Sequence, residues 1–185
     1  MPIDKGEETV SEMLERIAEE YNGVLYNNFC FEFCHGKSTE IDHILITSGG
    51  IFVIETKSVR GPVVGSISLS KWYWVGSKKK RFYFDSPLDQ NAQHIGWLNA
   101  LRTEKKLYMH NLVIFSFSKR LDIDSKDVYT VEDAEAFIRM ISDYNRDGPY
   151  MKEVMWFDYV LERYGISLED HIKNVQRYVT LNKRK

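Results

Sequence analysis

Apolar residues recur at every third or fourth position near the start of the chain, and Val10, Met13, Leu14, Ile17 and Tyr21 share one stripe. That period belongs to an amphipathic helix, expected over about residues 6–21. At about 100° per residue, Glu7 falls on the edge of the stripe and faces the protein body, whereas Glu8 points away. The period then changes. Strands are expected over about 24–33, 40–47 and 51–57, with shorter ones near 72–75 and 81–84, separated by Gly and Ser punctuation. A second helix opens at "SPLDQNAQH", where Ser86 suits the N-cap, Pro87 the first helical position and Asp89 a capping box; it is expected to run to about Lys105. "NLVIFSF", residues 111–117, is apolar on both faces, as a central strand covered by helices on each side would be. After a short strand at Val128 and Tyr129, three helical segments follow: from Val131 to about Asp143, from Pro149 to about Tyr164, and one capped by Ser167 with Asp170. The expected class is α/β, with a mixed central β-sheet flanked by helices. Residues 1–125 form the core and 126–185 a mainly helical extension packed on the same domain.

Composition agrees with one globular domain. The chain has 185 residues, 43% hydrophobic, 28% charged and 14% aromatic, enough to bury a core. No run approaches the roughly 20 apolar residues of a membrane helix, and "MPIDKGEETV" has no apolar leader core, so a cytoplasmic location without membrane contact is the expectation. A formal net charge of -2 gives no global basic field, so any contact with nucleic acid must be local. The dense basic clusters are Lys78, Lys79, Lys80 and Arg81 ("KKKR"), and residues 183–185. Cys30 and Cys34 are too far apart along one strand for an easy disulfide and read as reduced structural thiols; metal ligation by "CFEFCH" with His35 lacks a second ligand pair.

The chemistry gathers around "SGGIFVIETK", an apolar strand that ends with Glu55 and Lys57 two residues apart. A two-residue turn at Gly49 and Gly50 would pair Ser48 with Ile51, Ile46 with Val53, Ile44 with Glu55 and Asp42 with Lys57. All would then share one face of the sheet. Asp42 and Glu55, diagonal neighbours, would lie within about 7–8 Å at the backbone, and a turn of odd length would send Asp42 to the other face. Two carboxylates so placed repel each other unless a cation joins them. Mg²⁺ takes oxygen ligands and tolerates phosphate in its shell, with Mn²⁺ a substitute, and an adjacent ammonium can orient or deprotonate water. The plain alternative is an Asp42–Lys57 ion pair with Glu55 solvated.

The order of words along the chain adds what spacing leaves open. "GEETVSEML", "STEIDHILI", "GGIFVIETKSVRGPVVG", "KWYWV" and "SPLDQNAQHIGWL" together resemble the NERD (nuclease-related domain) family, itself similar to the PD-(D/E)XK restriction-endonuclease-like superfamily, over about residues 6–117. The resemblance implies a restriction-endonuclease-like fold and Mg²⁺-dependent hydrolysis of DNA phosphodiesters, with RNA not excluded. It makes Glu7 the first-helix acid, Asp42 the metal-binding aspartate, Glu55 and Lys57 the E-x-K pair, Gln90 the glutamine of the following helix, and the Thr56 carbonyl a further metal ligand. Ile41 stands where the superfamily has proline, and Ser58 where the family often has asparagine. A nucleic-acid-binding module that acts with a partner and does not cut, and a structural ion-pair network, are the competing classes.

Other residues have two readings. His43 lies on the hairpin face opposite Asp42 and reads first as a packed histidine. His94, four residues after Gln90, shares its helical face and reads first as simple packing, with contact to phosphate or water as the second reading. The aromatic run of Trp72, Tyr73 and Trp74 fills a core or stacks on bases, and "MWFDYV" packs against the sheet or forms an interface between copies.

Overall fold

The computed structural model describes residues 4–146, 148 and 150–182. Its elements run α1 (Lys5–Glu20), β1 (Val24–Cys34), β2 (Lys37–Thr47), β3 (Gly50–Lys57), β4 (Val63–Gly65), β5 (Lys71–Val75), β6 (Arg81–Asp85), α2 (Pro87–Ala100), β7 (His110–Phe115), β8 (Leu121–Ile123), β9 (Val128–Thr130), α3 (Val131–Tyr144), α4 (Met151–Tyr164) and α5 (Leu168–Asn182). The class is mixed α/β of the restriction-endonuclease-like kind, as expected. The main sheet has the order β1-β2-β3-β7-β9, with β1, β2 and β3 antiparallel and β3, β7 and β9 parallel.

Each face of that sheet is sealed by helices. On one, Val10, Met13, Leu14 and Ile17 of α1 and Ala134 and Ile138 of α3 bury Leu45, Phe52, Ile54, Leu112 and Ile114. On the other, Leu98 of α2 and Val154, Phe157 and Val160 of α4 pack over Phe29, Phe31, Ile44, Ile46 and Val53. Full burial of such side chains stabilises by about 1.5–3 kcal/mol each, so α3 and α4 hold the sheet as firmly as α1 and α2 do. The apolar run at β7 reflects this two-sided cover, with Leu112 and Ile114 facing α1 and Val113 and Phe115 facing the other way.

Sequence spacing suggested a single sheet, but the short aromatic strands belong to a second one. It has the order β6-β5-β4-β8 and packs Val63 and Trp72 on Val113, Phe115 and Leu88. Three-residue strands such as β4 and β8 carry too few positions to show a period, so they escaped the pattern. Helix α2 also ends sooner than expected, at Ala100. The following loop folds back on it, with Leu107 N–H donating to Asn99 Oδ1 at 2.9 Å and Asn99 Nδ2 donating to the Leu107 carbonyl at 3.2 Å. Helix α4 begins at Met151; its expected start, Pro149, lies outside the described residues. Both cysteines are free, and burial pushes the Cys30 thiol up to about 12. Among the described residues, no helix is long and apolar enough to cross a membrane.

Candidate active site

The β2–β3 hairpin turns one residue earlier than expected. Thr47 pairs with Gly50, Ile46 with Ile51, Ile44 with Val53 and His43 with Ile54, so the two turn residues are Ser48 and Gly49. Tertiary contact sets this register. Asn145 Nδ2 donates to the Ser48 carbonyl at 2.8 Å, Thr47 and Ser142 share a hydrogen bond of 2.8 Å, and a Cβ on Gly49 would lie 2.8 Å from the Ser142 backbone. Only glycine lets the turn approach α3 so closely. Continued one step, the register sets Asp42 opposite Glu55, where spacing had set it opposite Lys57. The shift is by two, so its parity is unchanged.

Local irregularity adjusts the face of Asp42 further. Asn28 adopts a left-handed φ of 51°, and the β1–β2 pairing skips from Asn27↔His43 to Phe29↔Ile41. Strict alternation breaks there, because Ile41 and Ile44, three residues apart, enter the same core. Asp42 sits at the break, half-buried, and Thr56 N–H donates to its Oδ2 at 2.7 Å. The N–H and C=O of one strand residue point to the same side, so the Thr56 carbonyl also faces β2.

Among the described residues Glu55 is the least exposed acid, at 2%. Lys57 Nζ donates to its Oε1 and also to Gln90 Oε1 at 3.3 Å. Its Oε2 has no hydrogen bond within the protein and faces His94 Nε2 at 3.7 Å. His94 is itself buried and shares a 2.8 Å hydrogen bond through Nδ1 with Thr39 Oγ1; with the hydroxyl donating, Nε2–H faces Glu55. Burial alone would raise the Glu55 pKa, but His94 and Lys57 outweigh it and hold the carboxyl below its usual range. Asp42 moves the opposite way: burial first, then the charges of Glu55 and Glu7, lift it well above the usual value against the Thr56 N–H.

Glu7 is half-buried and Glu8 exposed, as the helical wheel indicates. Burial raises the Glu7 pKa, and Asp4, Glu40 and Glu55 raise it further while Lys57 lowers it. A close approach at Gly6 puts Glu7 within this field. A Cβ there would lie 1.9 Å from Ser58 Oγ and 2.3 Å from Ser116 Oγ, so α1 starts in contact with the end of β3. Asp4 secures that start, accepting from Gly6 N–H at 2.8 Å and from Ser58 Oγ at 2.7 Å.

Glu7, Asp42, Glu55, Lys57 and Gln90 therefore converge, brought from α1, β2, β3 and α2. His94 lies behind Glu55, inside the protein. Thr39 and Gly6 were not read as part of the site; no spacing rule links Thr39 to a histidine 55 positions away. Lys78, Lys79, Lys80 and Arg81 stand apart at the β5–β6 turn, all exposed, with Lys80 over the Phe82 ring and Arg81 over the Tyr73 ring. Trp72 is fully buried, whereas Tyr73 pairs with the exposed Tyr83 on the opposite face of the second sheet. Residues 183–185 lie outside the described residues. His43 is buried, with Nδ1 2.8 Å from Asn27 Oδ1.

Among the described residues, no three His, Cys, Asp or Glu side chains form a ready metal cage. The residues nonetheless fit a hard cation that keeps much of its water shell. The carboxyls of Asp42 and Glu7 have pKa values raised first by burial and then by neighbouring acids, Glu55 among them, and the Thr56 carbonyl lies on the same side of β3 as Asp42.

A mixed sheet carrying an acid from its first helix, an aspartate on one hairpin strand and Glu-x-Lys on the next defines a restriction-endonuclease-like protein. The chain belongs to the nuclease-related domain family, which matches residues 4–116. An uncharacterized protein of Bacillus anthracis is 32% identical to it over 129 residues, 68% of this chain and 59% of that protein. The chain thus spans about three fifths of the length of that relative. No solved structure matches it significantly.

Proposed function

We propose that the protein is a Mg²⁺-dependent nuclease that hydrolyses DNA phosphodiester bonds. The observation that carries this reading is Glu55: a carboxylate buried at the end of β3, with one oxygen on Lys57, the other facing His94 Nε2 at 3.7 Å, and Asp42 and Glu7 close enough to feel its charge. A surface ion pair would not require this burial, which costs several kcal/mol unless the charge has a use or a full set of partners.

Asp42, Glu55 and the Thr56 carbonyl would hold the ion, with Glu7 completing its shell or that of a second. When bound, Mg²⁺ neutralises phosphate charge and acidifies water. Lys57 Nζ, held between Glu55 and Gln90, orients the attacking water by donating to it and offsets the charge that develops on phosphate. Gln90 positions phosphate or water, and His94 fixes Glu55 from behind. The Lys78 to Arg81 turn tracks the phosphate backbone.

The test is incubation of the wild-type protein with single-stranded DNA, duplex DNA and RNA in Mg²⁺, Mn²⁺ or EDTA. DNA is expected to be cut with either metal and spared in EDTA. Cleavage in EDTA would overturn the reading, as would DNA binding without cleavage in both metals.

A further inference from the structure

Helix α2 carries more than Gln90 and His94 along one side. Gln93 and Trp97 lie on the same stripe, because steps of three, four and seven residues return to one side of a helix. Trp97 stands about 10 Å along the axis from Gln90, at 1.5 Å per residue. A cavity of about 490 Å³ opens at that end, between α2, the β1–β2 hairpin and α5, within the size range of ligand pockets. Phe33 and Trp97 line it, stacked face to face on each other with ring centroids 4.2 Å apart and planes that differ by 5°.

The rim is polar. Gln93, exposed, lines it from α2, and Ser38 and Asn174 line it from the hairpin and α5. Ser38 is held in place by His171 Nδ1 at 2.9 Å and by Asn174 Nδ2, which donates to it at 3.3 Å.

We propose that this cavity holds one unpaired nucleobase of the strand being cut, making the substrate single-stranded or locally opened DNA. The inference rests on the nuclease reading of the Glu55 site. A base can extend an existing aromatic stack through its own face, whatever its identity, and amides at the rim suit the hydrogen-bonding edge that pairing in a duplex would occupy. A base still paired cannot enter a concave site of this kind without leaving its stack.

Binding in EDTA reads the cavity without any cleavage. A labelled oligothymidylate of about 12 nucleotides, within the span such proteins cover, is titrated against wild type, Trp97→Ala, Trp97→Phe and Gln93→Ala, with a blunt duplex in parallel. Trp97→Ala is expected to weaken single-strand binding about tenfold or more, Trp97→Phe to restore most of it, and Gln93→Ala to weaken it severalfold. Duplex binding is expected to stay unchanged. Should Trp97→Ala fail to fold, the exposed Gln93 position and the Phe variant carry the comparison. Equal losses on single strand and duplex, or no loss on either, overturn the inference. If metal-dependent cleavage continues while these variants bind single strands normally, the nuclease reading stands and the base pocket falls. If the variants lose single-strand binding but wild type cuts nothing in any metal, the pocket stands and the nuclease reading falls.

Discussion

His43 makes acid stability a direct probe of the site's foundations. Its ring is 3% exposed, Nδ1 meets Asn27 Oδ1 at 2.8 Å, and Nε2 has no hydrogen-bond partner. Burial lowers its pKa from 6.5 to about 4, so the folded protein keeps the ring neutral where the unfolded chain protonates it. The contribution is intact above about pH 6.5 and is lost as pH falls towards 4, because the unfolded state binds the extra proton throughout that window. At 1.36 kcal/mol per unit, the full loss is about 3 kcal/mol. Asp42 and Glu7 act with the opposite sign: their raised pKa values mean that protonation in acid favours the folded state, so the His43 effect is read as a difference. His43→Gln retains a donor for Asn27 and does not titrate. Urea unfolding of both proteins from about pH 7 to pH 4.5 should show wild type losing about 2–3 kcal/mol more than the variant. Parallel curves, within about 0.5 kcal/mol, would refute the claim that a neutral imidazole is locked behind Asp42.

Four further outcomes follow from the same structure. Asp42→Asn removes a charge that burial, Glu55 and Glu7 disfavour, so calorimetry at pH 7 should show a stability gain on the order of 1 kcal/mol. The same variant should lack the Mg²⁺-induced stabilisation expected of wild type, about 3 kcal/mol at a hundredfold excess over Kd, in a melting assay. Gly6→Ala places a Cβ 1.9 Å from Ser58 Oγ and displaces α1 with Glu7, so cleavage should fall about 100-fold in a kinetic assay while circular dichroism stays native. Neutralising Lys79 should reduce the slope of log binding constant against log salt by about 0.7–0.9, measured by fluorescence anisotropy, if that turn follows phosphates.

Much of the site was legible because it depends on local periods. The 3.6-residue repeat of α1 put Glu7 on the inner edge, and the period of two put Asp42 on the side of Glu55 and Lys57. The register itself was not legible, since it is set by Ser142 and Asn145 at the far end of the chain, which clamp the turn at Ser48 and Gly49. The break in pleat at Asn28 has no local signal either, because a left-handed asparagine looks like any other polar residue within a strand. His94 shows the same limit: its spacing from Gln90 gave the face of the helix, but only the packing of α2 over β3 turned that face inward onto Glu55. The alternating aromatics of β5 resolve by the same means, Trp72 turning into the core and Tyr73 outward beside Tyr83.

The central claim is that Glu55 is a working carboxylate and not a structural one. The most direct measurement is the single-turnover rate of DNA cleavage in Mg²⁺ by wild type and Glu55→Gln, with folding of both verified by melting. The account predicts a fall of roughly 100-fold or more in the folded variant. A variant that folds and cuts at the wild-type rate would contradict it.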